Sequence, residues 1–130
     1  MDDEKLQSIL ALRKIAVVGM SRDPSKAAHY VPKYLQEHGY DIVPVNPAAD
    51  EILGVACHDS VLSVSAEIVE IFRPSELVLP FVQDAIKTGP KAIWLQEGIS
   101  NAQAESLARD HGIDVVSDRC MMAEHRRLCA

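Results

Sequence analysis

Lys14-Ile-Ala-Val-Val-Gly19 is a short apolar run closed by glycine, and its reading decides the fold. Four consecutive apolar residues, Ile15 to Val18, without alternation fit a strand buried on both faces, the mark of a parallel sheet. Outward from this run, strand-like and helix-like segments alternate to both ends. Upstream, Leu6–Arg13 reads as a short amphipathic helix. Downstream, a helix runs from about Ala28 or His29 to His38 and closes at Gly39. Pro32 lies inside it and is tolerated only near the helix start. Asp41–Val45 is a second strand, stopped by Asn46-Pro47. Asp50–Ser65 is irregular, with a turn or short helix around Leu53-Gly54. Glu67–Phe72, rich in β-branched residues, is a third strand. A helix over 75–88, with its main part starting near Pro80, ends at Gly89. Lys91–Leu95 is the fourth strand, and Asn101–His111 is a helix ended by Gly112. Ile113–Val116 is the fifth strand, and Met121–Leu128 forms a last helix. This alternation implies a Rossmann-like α/β fold with a five-stranded parallel sheet and helices on both faces. The expected strand order is 3-2-1-4-5, with right-handed crossovers and a chain reversal between strands 1 and 4.

The composition suits one globular unit over residues 1–130. Hydrophobic residues make up 48% and charged residues 25%, enough for one sizeable core. The apolar runs are too short to cross a bilayer. The acidic start, Met1-Asp2-Asp3-Glu4, is unlike a signal peptide, so a cytoplasmic location is expected. A net charge of −6 argues against nucleic acid as the partner. Cys57, Cys120 and Cys129 are few and scattered, which fits neither a disulfide framework nor a zinc site.

The loops after the strands carry the chemistry. They are Gly19-Met-Ser-Arg-Asp-Pro-Ser-Lys26, Asn46-Pro47, Arg73-Pro74, Gln96-Glu-Gly98 and Ser117-Asp-Arg119. In the expected fold all five share one edge of the sheet, where ligands of such sheets bind. Gly19 permits close backbone approach. Ser21 and Ser25 offer hydroxyls, Arg22 and Lys26 offer charge, and the following helix start can hold a phosphate. NAD is disfavoured. Its G-x-G-x-x-G fingerprint is reduced here to one glycine, and strand 2 ends in Asn46-Pro47 in place of an acid. A missing acid suits a nucleotide with an extra ribose phosphate. Coenzyme A (CoA) and NADP both carry one, and the missing glycines weigh against NADP.

The stretches Ile15–Ser21, Tyr34-Leu35, His38–Tyr40 and Val43–Pro47 together resemble the small single-domain CoA-binding protein family. Ile71–Arg73, Ala92–Gly98 and Val116–Cys120 continue the likeness over roughly residues 10 to 128. These proteins are similar to the CoA-binding domain of the succinyl-CoA synthetase α subunit. The resemblance implies CoA over the ends of strands 1 to 3. It implies Gly19, Ser21, Ser25 and Lys26 around the phosphates, with Arg22 the competing charged contact. Asn46 and Pro47 would border the ribose and adenine, Phe72 and Arg73 the opposite wall, and Gln96 and Gly98 the pantetheine path.

Nothing in the sequence adds a catalytic set. His38 and His111 each precede a helix-ending glycine, where a cation suits the helix dipole. Adjacent Cys57 and His58 point apart in any regular structure, which disfavours a Cys–His pair. Trp94 sits in an apolar strand and reads as core. Arg119, Arg126 and Arg127 read as a solvated helix face, with a phosphate or partner contact as the alternative. The synthetases of the related family need a second, histidine-bearing domain for which this chain has no room. The expectation is therefore a CoA or acyl-CoA binding module, without a catalytic residue or a metal, rather than an enzyme. An acyl-CoA thioester enzyme using Cys120 or Glu97, an NADP-type module, and a partner-binding protein with a degenerate groove are the alternatives. A homodimer or a protein partner stays open.

Overall fold

The computed structural model describes residues 1–129. Seven strands and five α-helices follow one another among the described residues. The strands are β1 (Lys14–Val18), β2 (Asp41–Val45), β3 (Glu51–Ile52), β4 (Val55–Ala56), β5 (Ile68–Ile71), β6 (Ala92–Leu95) and β7 (Asp114–Val116). The helices are α1 (Asp3–Leu10), α2 (Ala27–Glu37), α3 (Val78–Thr88), α4 (Ala102–Asp110) and α5 (Met121–Leu128). Helix α1 begins earlier than its apolar spacing suggests, because the Asp2 carboxylate accepts from the Lys5 N–H and caps it.

The five longer strands pair in parallel in the order β2-β1-β5-β6-β7, and β3 and β4 form a separate two-stranded ribbon. The Rossmann-like sheet of the sequence reading is thus present, with one difference in detail. The Glu67–Phe72 strand was expected outside β2, but β5 pairs directly with β1. The place outside β2 is taken by a single parallel bridge, Val45 to His58. Counted with that segment third, the order is 3-2-1-4-5-6, which contains the 3-2-1-4-5 pattern. Counted by the longer strands alone, the order is 2-1-3-4-5. Two features explain this. Every residue of β5 is buried, which suits the centre of a sheet. Pro44 turns its carbonyl outward to the His58 N–H and has no N–H to match it, so a full ladder cannot form there.

Alternate side chains of the sheet feed two cores. Ile15, Val17, Ile68, Trp94 and Val116 pack under α1, α2 and α5. Ala16, Val18, Val69, Ile71, Ile93, Leu95 and Val115 pack under α3 and α4. Pro80 falls in the first turn of α3, where its missing N–H costs nothing. Asn101 caps α4 by accepting from the Ala104 N–H, while Glu105 accepts from the Asn101 N–H in return. No helix is long and apolar enough to cross a membrane among the described residues.

Candidate functional site

From β1 the chain goes on to β2 on one side and from β5 to β6 on the other, and a cleft of about 390 Å³ opens beyond the carboxyl ends of β1 and β5. Val18 and Gly19 form its floor. Asn46, Pro47 and Ala48 form one wall, Asp59, Ser60 and Val61 a second, and Arg73, Phe81 and Asp84 a third. Four of the residues named from sequence therefore meet here: Gly19, Asn46, Pro47 and Arg73.

Gly19 has φ +80°, and a Cβ at this position would lie 2.5 Å from the Phe72 carbonyl oxygen and 3.2 Å from Arg73 Cδ. Its need for glycine thus arises first within the chain itself, from the crowding of β1 against β5. Asn46 is also occupied. Its amide donates to the Met20 carbonyl at 2.9 Å and its oxygen accepts from the Ala48 N–H at 2.8 Å, tying the end of β2 to the loop after β1.

Arg73 differs. Its guanidinium lies over the Phe81 ring at 5.2 Å, and it forms no ion pair with a described carboxylate. Its Nε is buried with no hydrogen-bond partner among the described residues. A buried donor left unpaired is costly. Here it belongs to the one basic side chain lining the cleft among the described residues.

Ser21, Arg22, Ser25 and Lys26 sit in the adjoining loop and do not line the cleft. The loop is internally tied: Ser21 Oγ accepts from the Asp23 N–H, and Asp23 accepts from the Ser25 N–H and hydroxyl. The Ser25 hydrogen bonds hold the Asp23 carboxyl below its ordinary range, with Lys26 and His29 adding to the effect. Lys26 is the N-cap residue of α2, and no side chain caps that helix start. Phe72 packs against the α1/α2/α5 core. Gln96 is buried and accepts from the Met121 N–H at 2.9 Å. The Gly98 N–H donates to Asp118 at 2.7 Å. The structure places Phe72, Gln96 and Gly98 outside the cleft. Gln96, Gly98 and Asp118 form a seam joining the β6 and β7 loops.

The sequence reading missed Asp59, Ser60, Val61, Phe81 and Asp84. The first three lie in the segment that has no periodicity, and the other two lie on helix α3, away from the strand ends in sequence. A usable signal was the Ser60 cap of the short 3-10 turn Val61–Ser63, which marks a fixed corner. A second hollow of about 650 Å³ lies along β7, between Met1, Asp2, Lys5 and Arg109. It contains none of the residues named for the site.

Several other polar residues singled out in the sequence have structural roles. His38 and His111 each end a helix with Nδ1 on a carbonyl of the preceding turn, at 2.7 and 2.9 Å. Trp94 is buried, and its indole N–H donates to the Arg119 carbonyl at 2.8 Å. Arg127 pairs with Asp3 and Glu124, Arg119 lies 3.6 Å from Glu124, and Arg126 covers the Tyr34 ring. His58 Nδ1 contacts Ser63 Oγ at 2.8 Å, and burial pushes the Cys57 thiol up from its ordinary pKa. No group of three or more His, Cys, Asp or Glu able to hold a metal is found among the described residues.

Residues 13–126 match the family described as the CoA binding domain. The chain belongs to this family. It is 36% identical over 115 residues to the uncharacterized protein YneT of Bacillus subtilis, covering 87% of this chain and 85% of that protein. A solved structure of a hypothetical protein from Pyrococcus horikoshii is 43% identical. It superposes with a TM-score of 0.96 over 100% of this chain and 94% of the other. The ADP-forming acetate–CoA ligase of Methanocaldococcus jannaschii is 27% identical over 129 residues. That match covers 92% of this chain but only 18% of the ligase.

Proposed function

We propose that this chain is a CoA-binding module whose nucleotide-binding site is the cleft between the ends of β1, β2 and β5. The observation that carries the reading is the unpaired, buried Nε of Arg73, set in the cleft of a chain of this family. An anionic group entering between Gly19 and Arg73 would satisfy that donor. Val18, Val45, Pro47, Val61 and Phe81 supply the apolar surface that an adenine ring needs. The uncapped start of α2 stands beside the cleft and suits a second phosphate. CoA is larger than the cleft, so the rest of it would run over the rim, past Ser21–Lys26 on one side or the Gln96–Gly98 seam on the other. The chain works in this proposal as one unit, in the cytoplasm, delivering or holding CoA or an acyl-CoA without a catalytic residue of its own.

Calorimetric titration tests the ligand. The expected result is a CoA dissociation constant of about micromolar order, roughly −8 kcal/mol, with NAD and NADP weaker. Equal or tighter binding of NAD or NADP overturns the assignment.

A further inference from the structure

Pro32 lies within α2 and brings no N–H to it, so the carbonyl four residues earlier, that of Ala28, lacks its helical donor. That carbonyl does not stay empty. It accepts from the Ser21 N–H at 3.0 Å. The next residue, His29, is buried, and its Nδ1 lies 2.7 Å from the Ser21 carbonyl oxygen. A carbonyl only accepts, so Nδ1 carries the proton. Both backbone groups of Ser21 are therefore held by α2, through one acceptor that a proline sets free and one donor that a histidine supplies.

We propose that Pro32 and His29 are positioning residues that fix the loop 20–26 in its ligand-ready form before the ligand arrives. The inference rests on the reading of the adjoining cleft as a CoA site. Ser21 is the joint of the loop. Met20, just before it, is tied to Asn46 of the cleft wall through its carbonyl. The Ser21 hydroxyl receives the Asp23 N–H, and Asp23 in turn holds Ser25. A loop clamped at Ser21 pays no ordering entropy when it binds, whereas a loose one does. Pro32 sits 11 positions from Ser21 in sequence, and its role is to withhold a competitor: an N–H at position 32 would claim the Ala28 carbonyl for the helix.

Three variants test this, with amide hydrogen exchange at Ser21 and CoA affinity as separate readouts. Pro32→Ala restores a helix donor and removes a helix-disfavoured residue, which offsets the packing lost at this buried position. It is expected to raise Ser21 exchange at least about tenfold, and to weaken CoA binding about three- to tenfold, from loss of about one hydrogen bond. His29→Leu is expected to do the same. His29→Asn places an amide N–H near the position of Nδ1 and is expected to restore both readouts. That recovery would not follow if His29 merely filled space. Unchanged Ser21 exchange in both Pro32→Ala and His29→Leu overturns the clamp. Faster exchange with unchanged CoA affinity overturns the positioning role while leaving the CoA reading intact. If the unmodified chain does not bind CoA, the reading fails and the positioning role fails with it, whatever Ser21 does.

Discussion

Replacing Glu70 with glutamine is expected to stabilise the protein by about 3 kcal/mol at pH 7, more than a hundredfold in the folding equilibrium. Glu70 stands on the central strand β5, between Val17 of β1 and Trp94 of β6, and points into the core beneath α1, α2 and α5. It is fully buried, and neither carboxyl oxygen has a hydrogen-bond partner among the described residues. Burial alone lifts its pKa from 4.5 to about 8, with no charged neighbour contributing. Below pH 4.5 both the folded and unfolded chains carry the proton. Between 4.5 and 8 only the unfolded chain releases it, so stability falls as pH rises across this window. Above 8 the loss is complete. Glutamine has nearly the same shape but does not ionise. Urea unfolding of the two proteins should therefore differ by under about 1 kcal/mol at pH 5 and by about 4 kcal/mol at pH 8. Other titrating groups cancel in that difference. A gap that stays constant with pH would mean that Glu70 is charged or solvated in the folded protein.

Arg73→Ala is expected to weaken CoA binding by about 1.5–3 kcal/mol, roughly ten- to a hundredfold, with the fold intact. The side chain is half-buried against the Phe81 ring and has no carboxylate partner, so its removal leaves no buried acid unpaired. Comparison with 3′-dephospho-CoA locates the contact. Equal losses for the two ligands place Arg73 on the pyrophosphate, and a larger loss for CoA places it on the 3′-phosphate. Asp59 and Asp84 also line the cleft and would repel a dianion there. The pyrophosphate spreads its two charges over two phosphorus centres whereas the 3′-phosphate gathers two on one, so the acids disfavour the 3′-phosphate more, against the first expectation that Asn46 makes room for it. Normal CoA binding by Arg73→Ala would move the site out of the cleft.

The elements were legible where short apolar runs meet glycine or proline. Lys14–Gly19, Lys91–Leu95 and the helix ends at Gly39, Gly89 and Gly112 show this. Strand adjacency was less legible, because it depends on which run is buried on both faces and on which side of β2 Pro44 faces. One clue was present in the letters, the proline in β2 that places it near the edge; the burial of β5 was masked by Glu70, a charged letter in an otherwise apolar run. Of the site, the residues at strand ends were readable because topology alone brings Gly19, Asn46 and Arg73 to one edge. Phe81 and Asp84 were not, since their place in the cleft depends on how α3 lies across the sheet. The fate of polar atoms was hidden as well. Nothing in the sequence says that the Gln96 side chain turns inward to the Met121 N–H, or that the Asn46 amide turns to Met20.

Mapping backbone amide chemical shifts during a CoA titration tests the location of the site most directly. The cleft predicts that Gly19, Ala48, Ser60, Val61 and Arg73 shift together and saturate at one dissociation constant, while Ile113–Ser117 along the larger hollow beside β7 stay still. Shifts confined to the β7 hollow, with Gly19 and Arg73 unmoved at saturating CoA, would contradict it.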